Sequence, residues 1–193
     1  MSESVKEYFN ERASRWDSFG DDDANTIEYF LSLLDIQEGE SVLDLGCGTG
    51  VLGKQLLETP AKEILGVDVS DKMIEVAQQK YQGIARISYL CKDFYELRHE
   101  PFDHIICYNA FPHFLDVEGY VKQAYSLLKD GGTLLIAHNR GRAALDAHHA
   151  HHSQGVSRML RPVEEEIQDF QKHDFTPLNS IDTENMFFFL LKK

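Results

Sequence analysis

Seven residues, Asp44-Leu45-Gly46-Cys47-Gly48-Thr49-Gly50, restrict the fold more than any other stretch of the chain, because they join a short apolar run to a helical one. Three glycines in five positions let the backbone pass where a Cβ would clash or where φ must be positive. A loop of that kind brings main chain close to a ligand, and the N–H groups opening the next helix are available to an anion. It requires a strand on one side and a helix on the other.

The rest of the chain supplies them. Apolar residues recur at period 2 or in short buried runs over 41–45, 63–68, 85–90, 102–108 and 133–137, which read as strands. Between them lie helical patterns: Ile27, Phe30, Leu31 and Leu34 on one face; 50–57; 70–80 with Ser70 as N-cap; and 117–128. Gly131-Gly132 reads as a turn before the fifth strand, Pro162 as the first residue of a last helix, and 175–181 with 185–191 as a closing β-hairpin. The expected fold is therefore α/β: a doubly wound, mostly parallel seven-stranded sheet with helices on both faces and a C-terminal antiparallel hairpin. All 193 residues fit one domain, and at that size about 70% of the extended chain's surface is buried on folding. In such sheets ligands sit beyond the carboxyl ends of the strands. Segments 1–22 and 138–161 fall outside the alternation and are expected to cap that side.

A formal charge of −13 opposes sequence-independent nucleic-acid binding, which needs Lys and Arg to displace phosphate counterions. A local basic patch around Arg140, Arg142, Arg158 and Arg161 is the exception the sequence leaves open. No run approaches the roughly 18 apolar residues of a membrane span, and residues 1–10 lack an apolar signal region. Cys47, Cys91 and Cys107 form no C-x-x-C pair, which favours a reducing compartment. The expected location is cytoplasmic, with no membrane or nucleic-acid partner; oligomeric state is not legible.

The glycine loop alone allows two cofactors. Gly48-Thr49-Gly50-Val51-Leu52-Gly53 matches G-x-G-x-x-G, and Asp68 follows near the distance of a ribose-binding acid, so an NAD(P)-dependent oxidoreductase is a genuine alternative. Against it stand Asp44 at the strand end, where a dinucleotide site has an apolar residue, the short chain, and the closing hairpin in place of a further parallel strand. The motif set is more telling. Asp44 to Gly50 fits D-x-G-x-G-x-G at every fixed position. Gly66-Val67-Asp68-Val69-Ser70 with Met73, Cys91-Lys92-Asp93-Phe94, and Leu127-Leu128-Lys129-Asp130-Gly131-Gly132 follow in order. Over residues 40–137 the chain resembles the class I, Rossmann-like S-adenosylmethionine-dependent methyltransferases.

That resemblance implies roles. Asp44 would help hold the methionine ammonium of S-adenosylmethionine. Gly46, Gly48 and Gly50 would face its methionine and ribose. Asp68 would accept from both ribose hydroxyls. Asp93 would accept from the adenine amino group, with the Phe94 backbone nearby, and Val69 and Met73 would pack on the adenine. Cys47 and Asn109 complete the implied cofactor site. Asp93 is also a common turn residue in that position. The product would be S-adenosylhomocysteine.

Beyond the fourth and fifth strands the sequence becomes unusual: Phe111-Pro112-His113-Phe114, Ala137-His138, and then His148, His149, His151 and His152. This F-P-H-F pattern, with the later Arg142, Asp146 and His149, resembles a bacterial subgroup of small methyltransferases of poorly defined substrate. Adjacent strands would bring His113 and His138 near the methyl group. Three uses compete for them: a divalent transition metal on His113, His138 and His149, with His148 and His152 sharing a helix face; a general base, His113 or His138; or solvated histidines in a loop. Arg140 and Arg142 would meet an anionic acceptor or a neighbouring Asp, and Tyr8, Trp16 and Phe19 would close over the cofactor or pack as ordinary core. The expected activity is methyl transfer to a small-molecule acceptor, with a non-catalytic S-adenosylmethionine- or metal-binding module as a further alternative.

Overall fold

The computed structural model describes residues 1, 3–19, 23–152 and 155–193, with the side chains of 19 and 148–152 outside that description. Seven strands form one sheet: β1 (Ser41–Leu45), β2 (Glu63–Asp68), β3 (Ile87–Cys91), β4 (Phe102–Tyr108), β5 (Leu128–His138), β6 (Thr176–Asp182) and β7 (Phe187–Lys192), in the order β3-β2-β1-β4-β5-β7-β6. The first five are parallel; β7 runs antiparallel between β5 and β6. The expected sheet and hairpin are what forms. A dinucleotide fold would place a parallel strand beside β5, and here β7 runs the other way.

The central strands are buried on both faces, which explains their unbroken apolar runs. On one face, helices α5 (Val117–Leu127) and α7 (Val163–Gln171) close a core holding Tyr120, Phe111, Phe170 and Phe189. On the other, α2 (Ala24–Ser32), α3 (Gly53–Glu58) and α4 (Asp71–Lys80) cover Phe30, Leu56, Ile74 and Phe188. Helix α1 (Glu3–Asn10) and the 3₁₀ segment Ala13–Phe19 precede them, and α6 (Arg142–His152) follows β5. No helix of the described residues is long and apolar enough to cross a membrane.

Three local expectations need correction. The helix after the glycine loop begins at Gly53 rather than Gly50. The Gly50 and Gly53 amides donate to Cys47 O and Gly50 O at 2.9 and 3.1 Å, so tight turns consume the donors that a helix start would have offered an anion. Gly131-Gly132 does not separate a helix from a new strand. β5 already starts at Leu128 and pairs with Phe102, then bulges before resuming at Thr133 opposite His104. Gly131, at φ +81, sits in that bulge, where Lys193 ties it to the chain end. Finally, Arg158 and Arg161 form no basic patch. Both pair with Glu166, a fully buried carboxylate on α7, and Arg161 also reaches Asp169 at 2.5 Å. Burial pushes the Glu166 carboxyl up, but Arg158 and Arg161 more than offset it and hold it below its ordinary value.

At the opposite end of the sheet from the glycine loop, His104 is clamped between Glu40 at 2.8 Å and Thr133 at 2.7 Å, and Asp103 accepts from Ser41 and Lys129. These bonds fix the strand starts, leaving the carboxyl ends to form the site.

Candidate functional site

Strand order reverses between β1 and β4, since β1 continues to β2 on one side and β4 to β5 on the other. A cleft opens there, as expected at a topological switch point. Its volume is about 790 Å³ including the open mouth. Of the residues expected from sequence, Asp44, Gly46, Cys47, Gly48, Asp68, Val69, Met73, Phe94, Asn109 and His113 line it. Gly50, Asp93 and His138 do not appear among the lining residues.

Asp44 ends the buried run of β1 and is 2% exposed. Its buried Oδ2 has no hydrogen-bond partner among the described residues. Burial, and then the nearby Asp68 charge, push its carboxyl up to about 8. An unpartnered carboxyl held in a cleft is costly unless neutral or matched by a cation. Asp68 is placed by the loop itself: Gly48 N donates to Oδ2 at 3.0 Å and Ser70 N to Oδ1 at 2.8 Å. Burial raises Asp68 and those amides lower it in part, with a net upward shift. Each oxygen keeps a lone pair for a further donor. The Cys47 thiol is pushed well up by burial and by Asp44 and Asp68, so it stays protonated.

Gly46 has φ +71, and a Cβ there would meet Ala110 Cβ at 2.6 Å. The loop after β1 therefore lies directly against the loop after β4, which only glycine permits. Gly50 works from below: a Cβ on it would meet Tyr89 Oη at 2.8 Å, so its constraint comes from packing beneath the loop. Asp93 caps the turn Phe94–Glu96 by accepting from Tyr95 N at 3.0 Å, and its other oxygen accepts from the terminal ammonium of Met1. Its neighbours Lys92 and Phe94 line the cleft.

Two elements roof the cleft. Phe9 of α1 and Trp16 of the 3₁₀ segment line it, with ring centroids 5.5 Å apart. Asp17 accepts from Thr49 Oγ1 of the glycine loop at 2.6 Å and pairs with Lys80 at 2.6 Å. Asn10 bonds Ser70 Oγ at 2.5 Å and Asp71 Oδ1 at 3.1 Å. Ser70 caps α4 as expected. The aromatic cover is thus Trp16 with Phe9. Tyr8 instead stacks under the Arg12 guanidinium, and Phe19 lies outside the described side chains. Phe9 was missed, although its place four residues after the buried Val5 put it on the inward face of α1.

Asn109, next after β4, adopts φ +52, a region open mainly to Gly, Asn and Asp. Its N–H donates to Ala137 O, and its Oδ1 accepts from Asn139 N at 3.2 Å, joining the loops after β4 and β5. His113 lines the cleft, 7% exposed, with Phe9 edge-on at 4.8 Å between centroids. His138 is fully buried at the end of β5, its ring 6.0 Å from Phe187. Arg142 pairs with Asp182 at 3.2 Å. Among the described residues no group of three His, Cys, Asp or Glu side chains is disposed to hold a metal ion, and the expected third ligand, His149, has its side chain outside that description.

Comparison with known proteins agrees with this geometry. Residues 42–132 match the family model of a methyltransferase domain. The malonyl-[acyl-carrier protein] O-methyltransferase of Priestia megaterium (strain DSM 319 / IMG 1521) is 32% identical over 138 residues, covering 69% of this chain and 50% of that protein. The chain spans about half the length of that relative and 58% of the protein of the same name from Acetivibrio thermocellus. Among solved structures, a chain of the complex between the Haloferax volcanii Trm112 methyltransferase activator and its methyltransferase partner superposes with a TM-score of 0.83. Its identity is 22%, with 97% of this chain and 96% of that one covered. Magnesium protoporphyrin IX methyltransferase from Synechocystis PCC 6803 superposes with a TM-score of 0.74 at 20% identity, covering 98% of both chains. The structural likenesses speak for the fold. Together with the motifs on the carboxyl ends of β1, β2 and β3, these findings give the chain the fold of the class I, Rossmann-like methyltransferases and a methyltransferase domain over residues 42–132.

Proposed function

We propose that the protein binds S-adenosylmethionine in the β1–β4 cleft and transfers its methyl group to a small-molecule acceptor. The observation that carries this reading is the buried Asp44 carboxyl, whose Oδ2 has no partner among the described residues, lining the same cleft as Asp68. The residues fit the cofactor. Asp44 would take the methionine ammonium, Asp68 the ribose hydroxyls, and Val69, Met73 and Phe94 the flat faces of the adenine. Gly46 leaves the space a side chain would fill. When bound, the cofactor supplies an electrophilic methyl group, so alignment of the acceptor dominates the rate. Phe9 and Trp16 exclude water from above. His113, the imidazole that lines the cleft, would take the acceptor's proton as general base. His138, buried beside Phe187, would act from behind it by shaping the loop after β5.

Calorimetry tests the reading. S-adenosylmethionine and S-adenosylhomocysteine are expected to bind, and NADH is not; NADH binding alone would restore the oxidoreductase alternative. Turnover across a panel of small acceptors separates an enzyme from a binding module.

The Asp44 shift gives a pH signature. Its carboxyl is neutral below about pH 8 in the free protein and ionised when matched to an ammonium, so cofactor uptake releases a proton. Affinity for S-adenosylhomocysteine should rise by up to about tenfold per unit from pH 6 towards 8. Calorimetry in two buffers of different ionisation enthalpy reads the released proton directly, and a pH-independent affinity would sink the assignment. For stability the sign is opposite. The folded state holds this proton up to about 8, whereas the unfolded chain loses it near 3.8. The ligand-free protein should therefore lose stability as pH rises between those values.

A further inference from the structure

The ring of His113 is anchored from a segment 43 residues away: its Nδ1 lies 2.8 Å from Val156 O. A carbonyl oxygen only accepts, so Nδ1 carries the hydrogen and, in the neutral ring, Nε2 holds the lone pair. The same segment grips the rest of the 3₁₀ turn Phe111–His113. Arg158 N donates to Pro112 O at 2.9 Å. The Arg158 guanidinium lies 4.5 Å from the centroid of the Phe111 ring. Its two Nη atoms reach the buried Glu166 carboxylate at 2.6 and 3.1 Å. Each of the three residues of the turn thus meets one element of 156–158, and Glu166 fixes that element to α7.

The charges around the cleft bear on what it accepts. Among the described residues that line it, the cationic groups are Lys92 and the Met1 ammonium, which pairs with Asp93. Lys92 follows β3, three strands away from β4, or about 14 Å at the usual strand spacing. Phe9, whose ring meets His113 edge-on, lines the cleft together with Tyr108, Ala110 and Phe114, so the described lining at the β4 end is uncharged.

We infer that residues 156–158 are a positioning segment that fixes which nitrogen of His113 is basic, and that the acceptor served by this cleft presents a proton for that base, on an O–H or aromatic N–H group. The inference rests on the methyltransferase reading for its second half only. The step balances as follows: the acceptor's proton passes to Nε2, leaving His113 an imidazolium, while the acceptor's heteroatom bonds the methyl carbon and the carbon–sulfur electron pair stays on sulfur. The imidazolium then returns its proton to water. A carboxylate or thioether acceptor would need no base.

The test is ¹⁵N NMR of histidine-labelled full-length protein, with His113→Asn used to identify the His113 signals. The neutral ring is expected to carry its hydrogen on Nδ1. Arg158→Ala should mix the two tautomers, and Arg158→Lys, which keeps a charge for Glu166, should restore most of the Nδ1 form. A hydrogen on Nε2 in the unmodified protein, or a tautomer pattern untouched by Arg158→Ala, overturns the positioning role. If Arg158→Ala does not fold, the unmodified protein and Arg158→Lys still decide, the latter being expected to retain more than half of the Nδ1 form. A matched acceptor panel tests the second half. Phenols, alcohols and aromatic amines should turn over and carboxylates and thioethers should not; turnover confined to the latter overturns it. Calorimetry with S-adenosylhomocysteine on the same samples keeps the failures apart: no binding rejects the methyltransferase reading while leaving the tautomer result standing.

Discussion

Asp68→Ala is expected to weaken S-adenosylhomocysteine binding by at least about a hundredfold. Hydrogen bonds to an ionised acceptor contribute about 1.5–3 kcal/mol each, two ribose hydroxyls are available, and about 1.4 kcal/mol corresponds to a factor of ten. The loss should exceed that of the two bonds alone. Asp68 also accepts from Gly48 N and Ser70 N, so its removal frees the glycine loop and the start of α4 together. Asp68→Asn keeps one oxygen acceptor and should fall between. The readout is convenient, because the chain has a single tryptophan and Trp16 lines the cleft. Its fluorescence should follow cofactor titration in the parent and lose that response in Asp68→Ala. A variant that titrates like the parent would remove the ribose assignment.

The second large effect is expected at His113. Removal of a positioned general base costs about 10²–10⁴-fold in rate. His113→Asn should show that loss in kcat with cofactor affinity unchanged, because its amide can still donate to Val156 O while offering no base. His113→Ala should show the same kinetic loss with a drop in thermal stability, since the Val156 carbonyl is then left without its partner at a cost of about 1–3 kcal/mol. Turnover with an acceptor from the panel, read beside a melting curve, distinguishes the two. Full activity in His113→Asn would move the base elsewhere.

The strands and the glycine loop were legible because their signals are local. Asp44 to Gly50 needs only the residues on either side of it, and period-2 and period-3.6 patterns marked β1, β2, β4, α4 and α5 closely. What escaped depends on partners that no period or motif marks. Glu166 read as a favourable charge near a helix start, and only the fold shows it buried under Arg158 and Arg161. Those two arginines looked like a patch because nothing local announces a carboxylate on the next helix. Asp93 fitted both an adenine contact and a turn cap; the cap on Tyr95 N is there, and the partner that no local pattern marks is the Met1 ammonium, 92 residues away. The tautomer of His113 could not be read at all, since it is set by a backbone carbonyl 43 residues on, with no side-chain signature.

The roof over the cleft has a kinetic corollary. Residues 3–19 add no strand to the sheet and reach its loops through side chains: Asn10 on Ser70 and Asp71, Asp17 on Thr49 and Lys80, and Lys6 on Asp71. With the buried Val5 and the Phe9–His113 ring contact, these links hold far less surface than the core of the sheet, so the segment can part from the loops at less free energy than unfolding the sheet requires. Ligand exchange is then expected to run on a clock separate from the protein's own lifetime, set by how often this segment parts from the loops.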